Sequence, residues 1–132
     1  VPGIDFNLLR QPTATTSGIR EYGVSKLANL LFSAELGRRL AGSGVTTYAL
    51  HPGVVATDVW RELPWPLRSL IKLWMIDAEA GAQTTLHCAA SAGAAGETGL
   101  YYDKCRVRTP SSAGQDVALA AELWRRSDDW IG

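Results

Sequence analysis

The 132-residue chain is poor in cysteine and has no excess of charge of either sign. Its two cysteines, Cys88 and Cys105, are too few for a disulfide scaffold. Thirteen basic and thirteen acidic side chains give a formal net charge of zero. Because binding to nucleic-acid phosphates needs a basic excess or a basic stripe, this balance excludes a nucleic-acid-binding protein as the first interpretation.

Metal-ligand clusters and long apolar runs are also missing from the sequence. The cysteines show no C-x-x-C spacing, and His51 and His87 stand far apart, so no metal site is predicted. Charged residues interrupt every apolar stretch well before about 18 residues, which predicts no transmembrane helix. The first residues lack the basic start and apolar core of a signal peptide. We therefore expect an intracellular protein, and both a cytoplasmic and a membrane-associated location stay open.

The rest of the sequence alternates between helical and strand patterns. Residues 1–20 are rich in turn-forming residues and predict a loop. Residues 21–40 carry apolar side chains at the three-to-four spacing of a helix. The β-branched and aromatic run Val45–Leu50 predicts a buried strand, which His51-Pro52-Gly53 ends. A helix, a tight turn and a strand in this order form half of an α/β unit.

The second half of the chain predicts further elements of the same kind. Asp77 is placed to cap a helix over residues 78–91. Residues 100–102 read as a short strand, and Ser112–Gln115 fits a capping box that opens a final helix, which ends at about Trp130.

Tyr22 and Lys26 lie four residues apart on the first predicted helix and therefore share one face. The pKa of a free phenol is about 10, so a phenol that acts as a general base near pH 7 needs stabilisation of its anion by roughly 4 kcal/mol. One ammonium at ~4 Å, with an effective dielectric constant of ~20, supplies about that much. By itself the pair fits a structural tyrosine beside a solvated lysine as well as it fits a proton donor and acceptor.

The residues around this pair form a longer pattern. The sequence Y-G-V-S-K-L-A-N begins at Tyr22, and the strand G-V-T-T-Y-A-L runs directly into H-P-G-V-V-A-T, which ends at Thr57. The combination resembles the C-terminal half of the short-chain dehydrogenase/reductase family. It is most similar to the retinol dehydrogenase branch, which also has counterparts of the G-A-Q-T-T-L-H-C-A segment and of the terminal L-W-x-x-S helix. The resemblance covers nearly the whole chain.

The resemblance implies an α/β fold, namely the C-terminal portion of a doubly wound parallel-sheet, Rossmann-like domain that is incomplete in this chain. Residues 1–132 would then be one part of a single NAD(P)-binding domain. The implied function is an oxidoreductase that interconverts an alcohol and a carbonyl with NAD or NADP, of which NADP is favoured. The implied substrate is a small lipophilic alcohol or carbonyl compound, such as a retinoid or an aldehyde.

The resemblance also implies roles for individual residues. Tyr22 is the catalytic acid and base, and Lys26 holds the nicotinamide ribose and lowers the pKa of the tyrosine, so both residues contact the cofactor. The loop along the nicotinamide and its phosphates is formed by Pro52, Gly53, Val54, Val55 and Thr57. This loop follows the carboxyl end of a strand, where open α/β sheets bind ligands.

Residues 59–76 occupy the position of the family's substrate lid. Pro64 and Pro66 prevent one continuous helix, so we expect a loop followed by a short helix from about Leu67. This segment would cover a lipophilic substrate, pack over the sheet edge, or lie on a membrane surface. Its lid residues are Trp60, Leu63, Trp65, Leu70 and Trp74. The face of the first helix opposite Tyr22 is a candidate homodimer surface.

The chain also departs from the family pattern. The T-G-x-x-x-G-x-G fingerprint, the N-x-A-G segment and the catalytic serine are absent from these 132 residues. Ser17 lies in the wrong loop to replace that serine, and Ser25 is expected to serve in packing. We therefore expect a fragment of a longer enzyme that is inactive alone. The alternative is a truncated, non-catalytic module that binds a partner, and the upstream coding sequence would distinguish the two.

Overall fold

The computed structural model describes residues 1–13, 15–53 and 78–132. The described elements, in chain order, are α1 (Ile19–Arg39), β1 (Tyr48–His51), α2 (Ala78–Ala90), β2 (Leu100–Asp103), β3 (Arg106–Val107), a 3-10 helix (Ser112–Gln115) and α3 (Val117–Ile131). The strands form a mixed, partly parallel sheet in the order β1-β2-β3. These elements confirm the predicted α/β class and match part of a Rossmann-like domain. The predicted lid segment and the Asp77 cap lie outside the described residues.

The chain divides into two compact units. The first unit contains Val1–Ala49, Glu97–Tyr101 and Thr109–Gly132, and the second contains Leu50–Gly96 and Tyr102–Arg108. No helix in the described ranges combines the length and apolar character that a bilayer crossing needs.

Helix α1 confirms the predicted first helix to within two residues at each end. It packs against α3 in the first unit, where a core cluster of buried apolar side chains forms. The members of this cluster are Leu27, Leu31, Ala113, Ala120 and Leu123. Ile4 and Phe6 of the N-terminal loop pack against the same cluster. The loop and α1 are therefore held together by apolar burial.

The packing of α1 changes the interpretation of its far face. Leu31 follows Tyr22 by about two and a half helical turns and so lies on the opposite side of α1. It is 1% exposed and belongs to the core cluster with Ala120 and Leu123 of α3. Because α3 of the same chain covers this face, the face is not available as the homodimer surface that the sequence suggested.

The strand predicted over residues 45–50 is shorter, shifted and less buried than expected. Strand β1 begins at Tyr48, and its residues are half-buried or exposed. The backbone N–H of Val45 donates to Ser43 Oγ at 3.2 Å, and that of Thr47 donates to Thr98 Oγ1 at 3.1 Å. Since side-chain oxygens accept these bonds, the two residues make no ladder bond through their N–H groups.

The start of the final helix also differs from the prediction. Ser112–Gln115 is a 3-10 helix, and its cap is Ser111, whose Oγ accepts from the Gly114 N–H at 3.3 Å. Helix α3 begins afterwards with its own cap, since Asp116 Oδ1 accepts from the Leu119 N–H at 2.9 Å. Two separate caps therefore replace the single capping box, and α3 continues to Ile131.

The described part of the second unit comprises residues 50–53, residues 78–96 with helix α2, and residues 102–108 with the β2–β3 turn. Helix α2 confirms the helix predicted over residues 78–91 to within one residue. Asp103 pairs with Arg106, and the two residues between them, Lys104 and Cys105, both have positive φ, as a tight hairpin turn requires. Tyr102 is almost fully buried, and its ring centroid lies 5.7 Å from that of His87 on α2.

Candidate functional site

Tyr22 and Lys26 lie side by side on the exposed face of α1, as the sequence predicts. The Lys26 Nζ lies 5.2 Å from the centroid of the Tyr22 ring. Tyr22 is 65% exposed, so its phenol is open to a molecule that approaches from solvent. The pair therefore combines a proton-carrying hydroxyl and a fixed positive charge at one accessible place.

The backbone of Tyr22 is anchored in the first turn of α1. Its N–H donates to the Gly18 carbonyl at 2.9 Å, and its own carbonyl accepts from Ser25 Oγ at 2.8 Å. Ser25 is exposed and bonds within its own helix, so the expectation that it serves in packing is wrong.

Gly18, which precedes α1, has no side chain that could cap the helix, and its φ is 63°. Thr15 contacts both Gly18 and the first turn: its Oγ1 accepts from the Gly18 N–H at 3.2 Å and donates to Glu21 Oε2 at 2.7 Å. The hydrogen bond that the Thr15 hydroxyl donates to Glu21 is the main cause that lowers the pKa of the Glu21 carboxyl. The Arg20 charge makes a smaller contribution. Sequence inspection missed the arrangement because Thr15 and Glu21 are six residues apart, whereas a capping box spans three.

A cavity of about 320 Å³ lies between the N-terminal loop and the first turns of α1. Leu8, Leu9 and Val24 form its apolar wall. Glu21, which directly precedes Tyr22, and Ser25, which follows it by three residues, also line the cavity. The cavity is therefore a mixed surface beside the candidate proton donor, with room for a small organic group.

The described residues of the predicted cofactor loop, Pro52 and Gly53, belong to the second unit and follow the carboxyl end of β1. They line a cavity of about 620 Å³ with Thr84 of α2 and with the β2–β3 turn. Gly53 has φ of 85°, which side-chain-bearing residues rarely adopt. Val54, Val55, Thr57 and the predicted lid residues lie outside the described residues.

Two further features of this cavity were not anticipated. Arg108 forms an ion pair with Asp103, and both residues line the cavity. The Cys105 N–H donates to Thr84 Oγ1 at 3.3 Å, a contact between residues 21 positions apart that no local pattern signals. Cys88 is buried in this unit, and burial raises the pKa of its thiol. No group of three metal-binding side chains comes together within the described ranges.

The residues present fit a nicotinamide nucleotide in their chemistry. An ammonium and a phenol side by side offer the donors that a ribose diol accepts. Gly53 has no Cβ atom, which permits close approach of a planar or phosphate group to its backbone.

Comparison with known proteins agrees with this chemistry. No model of a protein family matches the chain. The chain is 42% identical to mouse (Mus musculus) retinol dehydrogenase 12 over 84% of its own length and 36% of that protein. It is 40% identical to human retinol dehydrogenase 11 over 98% of its own length and 41% of the relative. It is 38% identical to the bovine dehydrogenase/reductase SDR family member 13 over 98% of its own length and 36% of the relative.

The chain thus spans about two fifths of the length of these curated relatives. Nearly all of its own residues take part in the match, at identities of 38–42%. Its homologues are thus retinol dehydrogenases and another member of the short-chain dehydrogenase/reductase family, and the chain resembles the retinol dehydrogenase branch of that family.

Proposed function

We propose that this chain contributes the proton-transfer residues of an oxidoreductase that interconverts an alcohol and a carbonyl with NAD or NADP. The observation that carries the proposal is the exposed pair on α1, in which the Lys26 ammonium lies 5.2 Å from the Tyr22 ring centroid. Relatives named as retinol dehydrogenases support a retinoid-like or other lipophilic substrate.

In this function the Tyr22 hydroxyl gives its proton to a substrate carbonyl oxygen, or takes the proton of a substrate alcohol in the reverse direction. Lys26 stabilises the negative charge that develops on the phenol oxygen when the proton leaves. A bound nicotinamide would supply or accept the hydride at the substrate carbon. Lys26 of the first unit, and Pro52 and Gly53 of the second, are the described residues that would contact this cofactor.

The N-terminal cavity supports a lipophilic substrate. Its apolar wall of Leu8, Leu9 and Val24 lies next to the helical turn that carries Tyr22. An alkyl group seated there would be removed from water, and each buried methylene contributes about 0.8 kcal/mol.

The experiment that tests the function compares the natural full-length protein with its Tyr22→Phe variant, using NADPH, NADH and a panel of lipophilic aldehydes and alcohols. The variant lacks the exchangeable proton, so its turnover should fall by on the order of 10²–10⁴, while its affinity for the cofactor is largely kept. The matched control is Tyr101→Phe, which changes a half-buried tyrosine on β2 in the same way.

Near-unchanged turnover in the Tyr22→Phe variant would reject the assignment. Residues 1–132 alone are assayed in parallel, and we expect no turnover from them. The glycine-rich fingerprint and the catalytic serine are absent from their sequence, so substrate and cofactor would lack part of their donors. Binding of a partner without turnover in the natural protein would favour a non-catalytic module instead.

A further inference from the structure

The first turn of α1 is held by a chain of hydrogen bonds outside the Tyr22–Lys26 pair. The Gly18 N–H donates to Thr15 Oγ1 at 3.2 Å, and the Thr15 hydroxyl donates to Glu21 Oε2 at 2.7 Å. Thr15 therefore joins the residue before the helix to a carboxylate within its first turn. Gly18 is the N-cap residue, but it has no side chain that could accept a hydrogen bond from the first turn.

The position of Tyr22 depends on this turn. The Tyr22 N–H donates to the carbonyl of Gly18, the same residue that Thr15 holds. The ring is 65% exposed, so side-chain packing does little to direct it. The orientation of the phenol must then follow from the backbone at residue 22 and from the nearby Lys26 ammonium.

The carboxylate of Glu21 is suited to this task. Hydrogen bonds to an ionised acceptor are shorter and stronger than bonds between neutral groups. A negative charge in the first turn of a helix also interacts favourably with the helix dipole. Glu21 precedes Tyr22 directly, so any movement of its anchored side chain is transmitted to the catalytic candidate through a single peptide bond.

We propose that Glu21 is a positioning residue for Tyr22: through Thr15 and Gly18 it holds the first turn of α1 and thereby directs the phenol toward the substrate. This inference rests on the proposed function of Tyr22. Glu21 does not touch the reacting atoms, so it acts on the rate through the geometry of its neighbour.

The first measurement is hydrogen exchange of the Gly18 and Tyr22 amides in the natural full-length protein. Thr15→Val removes the hydroxyl and Glu21→Ala removes the carboxylate. Each variant should exchange both amides roughly tenfold faster, the effect of about one lost hydrogen bond. Thr15→Ser keeps a hydroxyl and Glu21→Gln keeps a side-chain oxygen that can accept a hydrogen bond. Both variants should therefore retain most of the protection of the two amides against exchange. The matched control is Thr16→Val, at an exposed threonine next to Thr15.

The second measurement is steady-state kinetics of the same variants. Glu21→Ala and Thr15→Val should lower kcat about tenfold with little change in KM, because binding is kept while the proton donor is misaligned. Thr15→Ser should recover the rate, and Thr16→Val should match the wild type.

The outcomes separate this inference from the proposed function. Unchanged exchange in both Thr15→Val and Glu21→Ala would overturn the inference, as would faster exchange with an unchanged kcat. If the Tyr22→Phe variant keeps its full rate, the proposed function fails and the positioning role fails with it. If the wild type shows no turnover, the proposed function and the positioning role likewise fail. The exchange data then still decide whether Glu21 holds the first turn of α1.

Discussion

Gly37 of α1 lies directly against the backbone of Gly99. A Cβ atom added at Gly37 would stand 2.9 Å from both the N and the Cα of Gly99 and 2.8 Å from Thr47 Oγ1. Gly99 is held in place, since its N–H donates to the Thr47 carbonyl at 2.8 Å. The close approach of helix and loop therefore requires a residue without a side chain at position 37.

Replacement of Gly37 by alanine should destabilise the protein by about 1–3 kcal/mol, as measured by urea unfolding. Alanine favours a helix by up to about 1 kcal/mol over glycine, but the backbone of Gly99 must move to admit the methyl group. Gly23→Ala is the matched control on the same helix, because a Cβ there would meet only the Val1 side chain, at 3.0 Å or more. A Gly37→Ala variant as stable as Gly23→Ala would contradict the close approach.

Removal of the ammonium beside Tyr22 should affect both catalysis and cofactor binding. In Lys26→Ala we expect kcat to fall by about 10² and the affinity for the nicotinamide cofactor to fall as well, since the charge has two roles. Stopped-flow and equilibrium titration measure the two quantities separately. The control is Arg10→Ala, which removes an exposed cation from the N-terminal loop. Loss of affinity with an intact kcat would leave Lys26 as a cofactor ligand only.

The predicted lid can be tested through substrate length, although its residues lie outside those that the structure describes. Replacing Trp60 and Trp74 with serine should lower kcat/KM for long-chain aldehydes more than for short ones, because a long chain loses more apolar contact. Trp130→Ser, at an exposed tryptophan near the end of α3, is the control. Equal losses at every chain length would mean that residues 59–76 only pack against the fold.

Helix α3 should lose stability in acid through Glu122. Hydrogen bonds from Arg125 and Arg126 are the main causes that lower the pKa of Glu122 to about 2. The unfolded value is near 4.3, so the stabilisation is fully present above that pH and disappears as the pH falls through about 2. Thermal unfolding midpoints measured between these pH values should therefore decline less steeply in Glu122→Gln than in the wild type. Asp128→Asn, at an exposed position on the same helix, should keep the wild-type slope.

The sequence by itself determined those features that depend on helical periodicity. A four-residue spacing puts Tyr22 and Lys26 on one face of any α-helix, and the apolar repeat of residues 21–40 was enough to predict that helix. The motifs around the pair were likewise sufficient to indicate the family, which the relatives confirm. Such properties need no contact beyond a few turns of chain.

Only the tertiary structure decided the features that depend on partners distant in sequence. Strand β1 begins at Tyr48 because the N–H of Thr47 bonds to Thr98, 51 residues away. The face opposite Tyr22 is buried because α3 returns to cover Leu31. In each case the local sequence was compatible with more than one structure. A long-range hydrogen bond or apolar contact, which forms only in the folded chain, decided which structure is adopted.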